Sequence, residues 1–225
     1  MDQSEEKLYA VLTGDIVKSS KLSADGLQAV KHSLREAVRD LNLLPEDKQP
    51  IVEGTIDFYR GDGWQLLLTC PEYALRAALF LRARLMMTHP KTDTRISVGI
   101  GPVAHVSSDN VSQSIGKAFE LSGNAMDTLK ARTRMTIAFP YYMEDKYVHL
   151  VSVFELSDAI VQKWTHKQAE AASWALRGLS QAEIAAKFNP PITSQAVGKF
   201  LRTACWHALE AVLERIENND HINRQ

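Results

Sequence analysis

Two aspartates stand where apolar runs must turn, and carboxylates so placed do metal and phosphate chemistry. Asp15 follows the run Leu8 to Thr13 and Gly14, and Asp62 lies in Arg60-Gly61-Asp62-Gly63 between the β-rich runs 51–59 and 63–70. A short apolar run closed by Gly-Asp reads as a buried strand with its exit, and Gly-Asp-Gly between two β-rich runs reads as a hairpin tip. If the first strand and the hairpin share a sheet, both carboxylates come to one edge and can share a divalent cation. Mg²⁺ takes one or two carboxylates and fills its remaining positions with water and substrate phosphate, and the Ile16 carbonyl can join Asp15 and Asp62 around it. The loop Val17-Lys18-Ser19-Ser20 then offers backbone N–H groups, hydroxyls and an ammonium to a phosphate, and Arg60 joins that ligand-binding set. A plainer role stays open, in which Asp15 caps the next helix and Asp62 only satisfies its turn.

A second constellation lies near the other end, in GLSQAEIAAKFNPPITSQAVGKFLRTA over residues 178–204. Ser180 and Glu183 form a capping box that starts a short helix, whose apolar face is Ala182, Ile184, Ala185 and Phe188 and whose stop is Asn189-Pro190-Pro191. Thr193 or Ser194 caps a second helix. Val197, Phe200, Leu201 and Ala204 fall on its inner side, which leaves Ser194, Gln195, Gly198, Lys199 and Arg202 outside, the residue types that reach phosphates and base edges. An upstream helix opens with a capping box of its own, Thr165 to Gln168, and closes at Gly178. This is a helix-turn-helix pattern with the second helix as the recognition helix. The competing reading is a helical hairpin that only packs or dimerises, because residues 155–217 hold as many acidic as basic residues and so lack a broad positive field. On the DNA-binding reading, contacts concentrate around Lys187, Lys199 and Arg202.

The elements that must hold these groups follow from periodicity. Apolar positions at Leu27, Val30, Leu34, Val38 and Leu41 give a helix over 23–43, a loop spans 45–50, and 71–89 is strongly helical. On that helix Arg76, Arg82 and Arg84 read as a solvated face. Arg95 to Gly101 alternates as a strand, with Gly99 and Gly101-Pro102 marking a close backbone approach or a strand end; 114–132 is helical and Met135 to Phe139 is a strand. The order βαββαβαβ predicts an α/β (α+β) sandwich of ferredoxin-like kind, followed by an all-α helix-turn-helix domain, with the chain divided into 1–150 and 151–225. Residues 140–164 connect the two through a strand-like run, Tyr147 to Phe154. Leu209, Val212, Leu213 and Ile216 form a stripe that suits either core or a dimer seam.

With 225 residues, 45% of them apolar, the chain is long enough for two real cores, and its net charge of −1 argues against a nucleic-acid coat protein or a membrane-surface protein. No apolar run approaches the roughly 20 residues that span a bilayer, and the start MDQSEEK is unlike a signal peptide, so a cytoplasmic location is expected. Cys70 and Cys205 are distant singles that suggest neither a disulfide nor a zinc site.

Four stretches, GDIVKSS, RGDGWQLLL, RISVGIGPV and IGKAFELSGNAMDTLK, resemble in order the motifs of class III nucleotidyl cyclase homology domains. They are still more similar to the SatD-type proteins, in which such a domain precedes a helix-turn-helix, and residues 155–217 resemble the DNA-binding domains of sigma-factor region 4 and LuxR-type regulators. The resemblance implies that Asp15 and Asp62 match the cyclases' two metal-binding aspartates. It also implies losses. Phe58 stands where a base-selecting lysine is expected, and Lys117, Glu120 and Asn124 stand where an acidic base-reader and the transition-state asparagine and arginine are expected. A negative Glu120 in place of a donor works against the charge that builds on phosphorus, so cyclization of ATP or GTP is not expected. Lys117, Glu120 and Asn124 remain candidate ligand contacts. The expectation is a homodimeric, ligand-responsive DNA-binding transcriptional regulator whose degenerate cyclase-like domain senses a nucleotide or phosphate compound, with Mg²⁺ as a possible cofactor. The alternative is a Mg-dependent nucleotide-processing enzyme with a C-terminal targeting or dimerisation module.

Overall fold

The strand that carries Asp15, β1 (Leu8–Ile16), sits in mid-sheet with antiparallel neighbours on both sides. A computed structural model describes residues 7–43, 50–88, 92–107 and 111–218; the N-terminal segment, most of the 45–50 loop and the tail from 219 lie outside the described residues. The elements that follow are α1 (Ala24–Leu41), β2 (Val52–Tyr59), β3 (Gly63–Leu68), α2 (Ala74–Thr88), β4 (Thr94–His105), a two-residue β5 (Ile115–Gly116), α3 (Lys117–Thr128) and β6 (Met135–Ala138). The sheet order is β2-β3-β1-β4-β5, with β6 parallel to β4 through Ile96–Met135 to Gly99–Ala138. A βαββαβ unit in this order is the ferredoxin-like arrangement.

Alternation along β1 decides the layers. Ala10, Leu12 and Ile16 point into the main core with Val30, Leu34 and Leu41 of α1, whereas Val11 joins Leu67, Val111 and Ala118 on the other face. Helices α1 and α2 therefore cover one face and α3 the other. α3 lies close because Gly99 leaves room for it: a Cβ there would stand 2.2 Å from the Ala118 carbonyl oxygen. Thr13 and Ser122 then hydrogen-bond across the gap at 2.8 Å, both buried.

Five further helices follow among the described residues: α4 (Tyr141–Val161), α5 (His166–Ala175), α6 (Gln181–Lys187), α7 (Ser194–Thr203) and α8 (Trp206–Glu217). Tyr147 to Phe154 is not a strand. It lies inside α4, where Met143, Tyr147, Leu150, Phe154 and Val161 recur at helical spacing and are buried; an apolar run suits either element, and burial along one helical stripe decides it. The same helix passes through residue 150. Helix α2 is enclosed on both sides, against the sheet and α1 below and against α5 above, so one continuous buried cluster runs from Ala10 to Leu213.

That enclosure overturns the reading of Arg76, Arg82 and Arg84 as a solvated face. Arg82 is 0% exposed and is paired with Asp93 and Asp158. Arg76 donates from Nε and Nη2 to Glu217 at 2.6 and 2.8 Å and from Nη1 to the Leu176 carbonyl at 2.7 Å. In α8, Leu209 and Leu213 are buried within this same chain, with Val212 and Ile216 packed against them, so the stripe is core. No helix among the described residues is long and apolar enough to cross a membrane.

Candidate functional site

Register brings the two sequence-predicted aspartates to one end of the sheet. Asp15 pairs with Gly63 of β3 and with Arg95 of β4, so Asp62 stands one residue from Asp15's partner at the hairpin tip. Ser19, in the short turn after β1, donates from Oγ to Asp62 Oδ2 and ties the loop to the hairpin. Lys18 and Arg60 both hold positive φ, 58° and 46°, which non-glycine residues adopt only where the chain must turn sharply. Lys18, Ser20 and Arg60 are exposed at this edge, while Ile16 is buried opposite Thr94.

The neighbour that sequence reasoning missed is Arg95. Its guanidinium donates from Nε to Asp15 Oδ1 at 2.8 Å and from Nη2 to Oδ2. The pair holds the Arg95 proton more tightly than in free arginine, chiefly through the hydrogen bond to Asp15, with burial opposing and the charges of Asp15 and Asp62 adding. Strand alternation in RISVGIG puts Arg95, Ser97 and Gly99 on one face, but which residue faces Asp15 depends on a long-range register that no local pattern records.

Behind the carboxylates the backbone is fixed from the other face. Thr94 Oγ1 donates to the Asp15 carbonyl at 2.6 Å, and Trp64 Nε1 donates to Thr94 Oγ1 at 2.9 Å. The indole lies over Gly14, where a Cβ would stand 2.3 Å from it. This explains the glycine before Asp15: a side chain there would eject Trp64.

The remaining ligand candidates lie on α3 and at the end of β2. Lys117 and Glu120 are exposed and pair with each other at 3.0 Å, and Asn124 is exposed on the same outer side of α3. Among the described residues no hydrogen bond or ion pair joins these three to Asp15 or Asp62. Phe58 is on the opposite face of the sheet, with Arg35 and Lys31 over its ring at 4.7 and 5.4 Å. Tyr59 is on the Asp15 side; burial raises its hydroxyl pKa, Arg60 opposes, and Asp15, Asp127 and Asp57 add to the rise.

As arranged, the donor set does not fit a divalent cation. Both Asp15 oxygens already accept from Arg95, Asp62 Oδ2 accepts from Ser19, and a permanent cation touches the first carboxylate. No group of three or more His, Cys, Asp or Glu side chains is placed to hold a metal among the described residues.

Several solved cyclases are similar to this chain over part of its length. The adenylyl cyclase CyaB from P. aeruginosa is 15% identical with a TM-score of 0.40, over 65% of this chain and 83% of that one. The guanylyl cyclase Cya2 is 15% identical with a TM-score of 0.40, over 63% and 78%, and a bacterial light-regulated adenylyl cyclase is 13% identical with a TM-score of 0.37, over 60% and 44%. No family model and no curated protein matches the sequence.

The second candidate surface is the pair α6 and α7. Both capping boxes are formed, at Thr165 with Gln168 and at Ser180 with Glu183, and Thr193 caps α7 through the Ala196 N–H. Ile184, Ala185 and Phe188 face inward, but Ala182 is exposed, one position off the face assigned to it. Val197, Leu201 and Ala204 are buried, Phe200 stacks on Phe188 at 6.0 Å, and Trp164 Nε1 donates to the Ala204 carbonyl. Ser194, Gln195, Lys199 and Arg202 are all exposed on one helix whose other side is locked into the core.

Proposed function

We propose that this chain is a DNA-binding transcriptional regulator in which α7 enters the major groove and the sheet edge around Asp15 takes a phosphate-bearing small molecule. The observation that carries the reading is α7 itself. Its buried stripe, Val197 and Leu201, leaves Ser194, Gln195, Lys199 and Arg202 free on the opposite side, and such side chains on the second helix of a capped pair suit phosphate and base-edge contacts. Balanced charge over 155–217 gives one copy a weak field, so the reading includes a homodimer that doubles the contacts. At the sheet edge the ligand's phosphate meets Lys18, Ser19, Ser20 and Arg60, held there by the β1–β3 register.

Selection of binding sites from random duplexes by the full chain tests the DNA half. An enriched, two-fold symmetric motif is expected, with affinity that falls steeply as salt rises. Recovery of no motif at low salt sinks the reading.

A further inference from the structure

Helix α2 carries three arginines that meet the rest of the molecule, and two of them are fully matched. Every donor group of Arg76 used at the seam has a close acceptor, and Arg82 donates at 2.7 to 3.0 Å to two carboxylates. Arg84 is different. Its Nη2 lies 3.5 Å from Asp40 Oδ2, the same oxygen that Arg177 Nη1 approaches at 3.4 Å, and its buried Nε has no acceptor. Charge-assisted hydrogen bonds close to about 2.7–2.9 Å when they are well made, so a single carboxylate oxygen shared at these distances serves neither guanidinium well.

The same place gathers a third cation. Arg84, Arg177 and the Lys187 ammonium lie 5.9, 5.4 and 5.5 Å from the centre of one Trp174 ring. Of the four tryptophans in the chain, Trp64, Trp164 and Trp206 each donate their indole N–H to an oxygen. The Trp174 Nε1 donates to nothing and is buried. Burial lowers the pKa of Arg84; Asp40 and, less, Glu36 oppose, Arg177 adds to the fall, and the net shift is downward. Three cations and two unused donors thus gather around Asp40 at the seam between α1, α2, α5 and α6, with Glu36 adding a second negative charge near Arg84.

We propose that this seam is a binding site for a small, multiply charged phosphate anion, held by Arg84, Arg177, Lys187 and Trp174 Nε1, with Asp40 as the internal counter-ion that the anion relieves. Arg84 is only 14% exposed and Arg177 22%, which recesses them below the reach of a rod-like duplex. The site is separate from the sheet edge at Asp15 and does not depend on DNA binding. An anion there bridges helices that precede and follow the residue 150 position, so its occupancy stiffens that seam.

The test uses the full chain and inorganic pyrophosphate as probe, with calorimetry for affinity and the indole N–H resonance of Trp174, assigned through Trp174→Phe, as the local readout. Pyrophosphate should move the Trp174 resonance and leave those of Trp64, Trp164 and Trp206 in place. Lys187→Gln, an exposed change that cannot disturb the core, should weaken binding about tenfold or more, the loss of one charge-assisted contact. Asp40→Asn should strengthen it. A Trp174 resonance that stays still at millimolar pyrophosphate overturns the proposal, as does equal affinity in wild type and Lys187→Gln. A duplex that moves the same resonance at lower concentration overturns it in favour of a DNA phosphate contact.

Discussion

Arg82 on α2 and Asp158 on α4 are joined at 2.7 Å with neither side chain open to water. The same guanidinium is bidentate to Asp93 at 2.8 and 3.0 Å, Asp93 also accepts from Arg134, and Asp158 Oδ2 accepts from the Arg134 N–H and from Gln162. Desolvation is offset here only because each charge has several partners. Removing one partner should therefore be costly. Asp158→Ala is expected to destabilise the fold by about 3–5 kcal/mol, read from chemical denaturation, because it strips Arg82 of one acceptor in a dry site. A loss below about 1 kcal/mol would mean that water replaces the carboxylate.

Asp93 gives this network a pH signature. Burial alone would raise its pKa, but the Arg82 and Arg134 charges and hydrogen bonds outweigh burial and leave it lowered. A carboxylate whose pKa is depressed by folding adds stability above its unfolded value, about 3.9, and that stability is lost as pH falls through the lower, folded value. Acid unfolding followed by circular dichroism should thus steepen below about pH 4. Asp93→Asn should be less stable at neutral pH and show a flatter acid limb; parallel limbs in the two proteins would assign the acid sensitivity elsewhere.

Arg95 makes a prediction about metals. While it grips Asp15, a divalent cation competes with a bidentate guanidinium. Arg95→Ala frees both oxygens and should tighten Mn²⁺ binding, measured by electron paramagnetic resonance, about tenfold or more relative to wild type. Asp62→Ala in that background should reverse the gain. Unchanged or weaker Mn²⁺ binding in Arg95→Ala would show that the arginine is no competitor.

On the proposed DNA-reading face of α7 the expected effects divide by chemistry. Lys199→Ala and Arg202→Ala should each cost about 1–3 kcal/mol where the lost contact is bidentate to a base, and less, with a shallower salt slope, where it is to a phosphate. Gln195→Ala should change the selected sequence more than the affinity. If all three variants select the wild-type motif with wild-type affinity, α7 is not the reading helix.

What the residues disclosed in advance was local. The capping boxes at Thr165 and Ser180, the Gly-Asp exit of β1 and the hairpin at Asp62 each involve groups within a few positions, and each formed. The ferredoxin-like order followed from counting such elements. Hidden were facts set by distant segments: Arg95 opposite Asp15 and Phe58 turned toward α1. Arg82 misled for the same reason, since a charged residue signals solvent unless its counter-ions, here 11 and 76 positions away, are known.

The enclosure of α2 also bears on how such a protein can change over generations. Two domains joined by a tether can be exchanged as cassettes, each carrying its whole interior with it. Here the helix that seals the sheet is also the floor of the C-terminal helices, and the Arg76–Glu217 pair ties α2 to α8. A recombination event near residue 150 would split one interior in two and leave Leu79, Phe80 and Ala83 facing water. Exchange of one half for another would therefore require α2 to be rewritten at the same time.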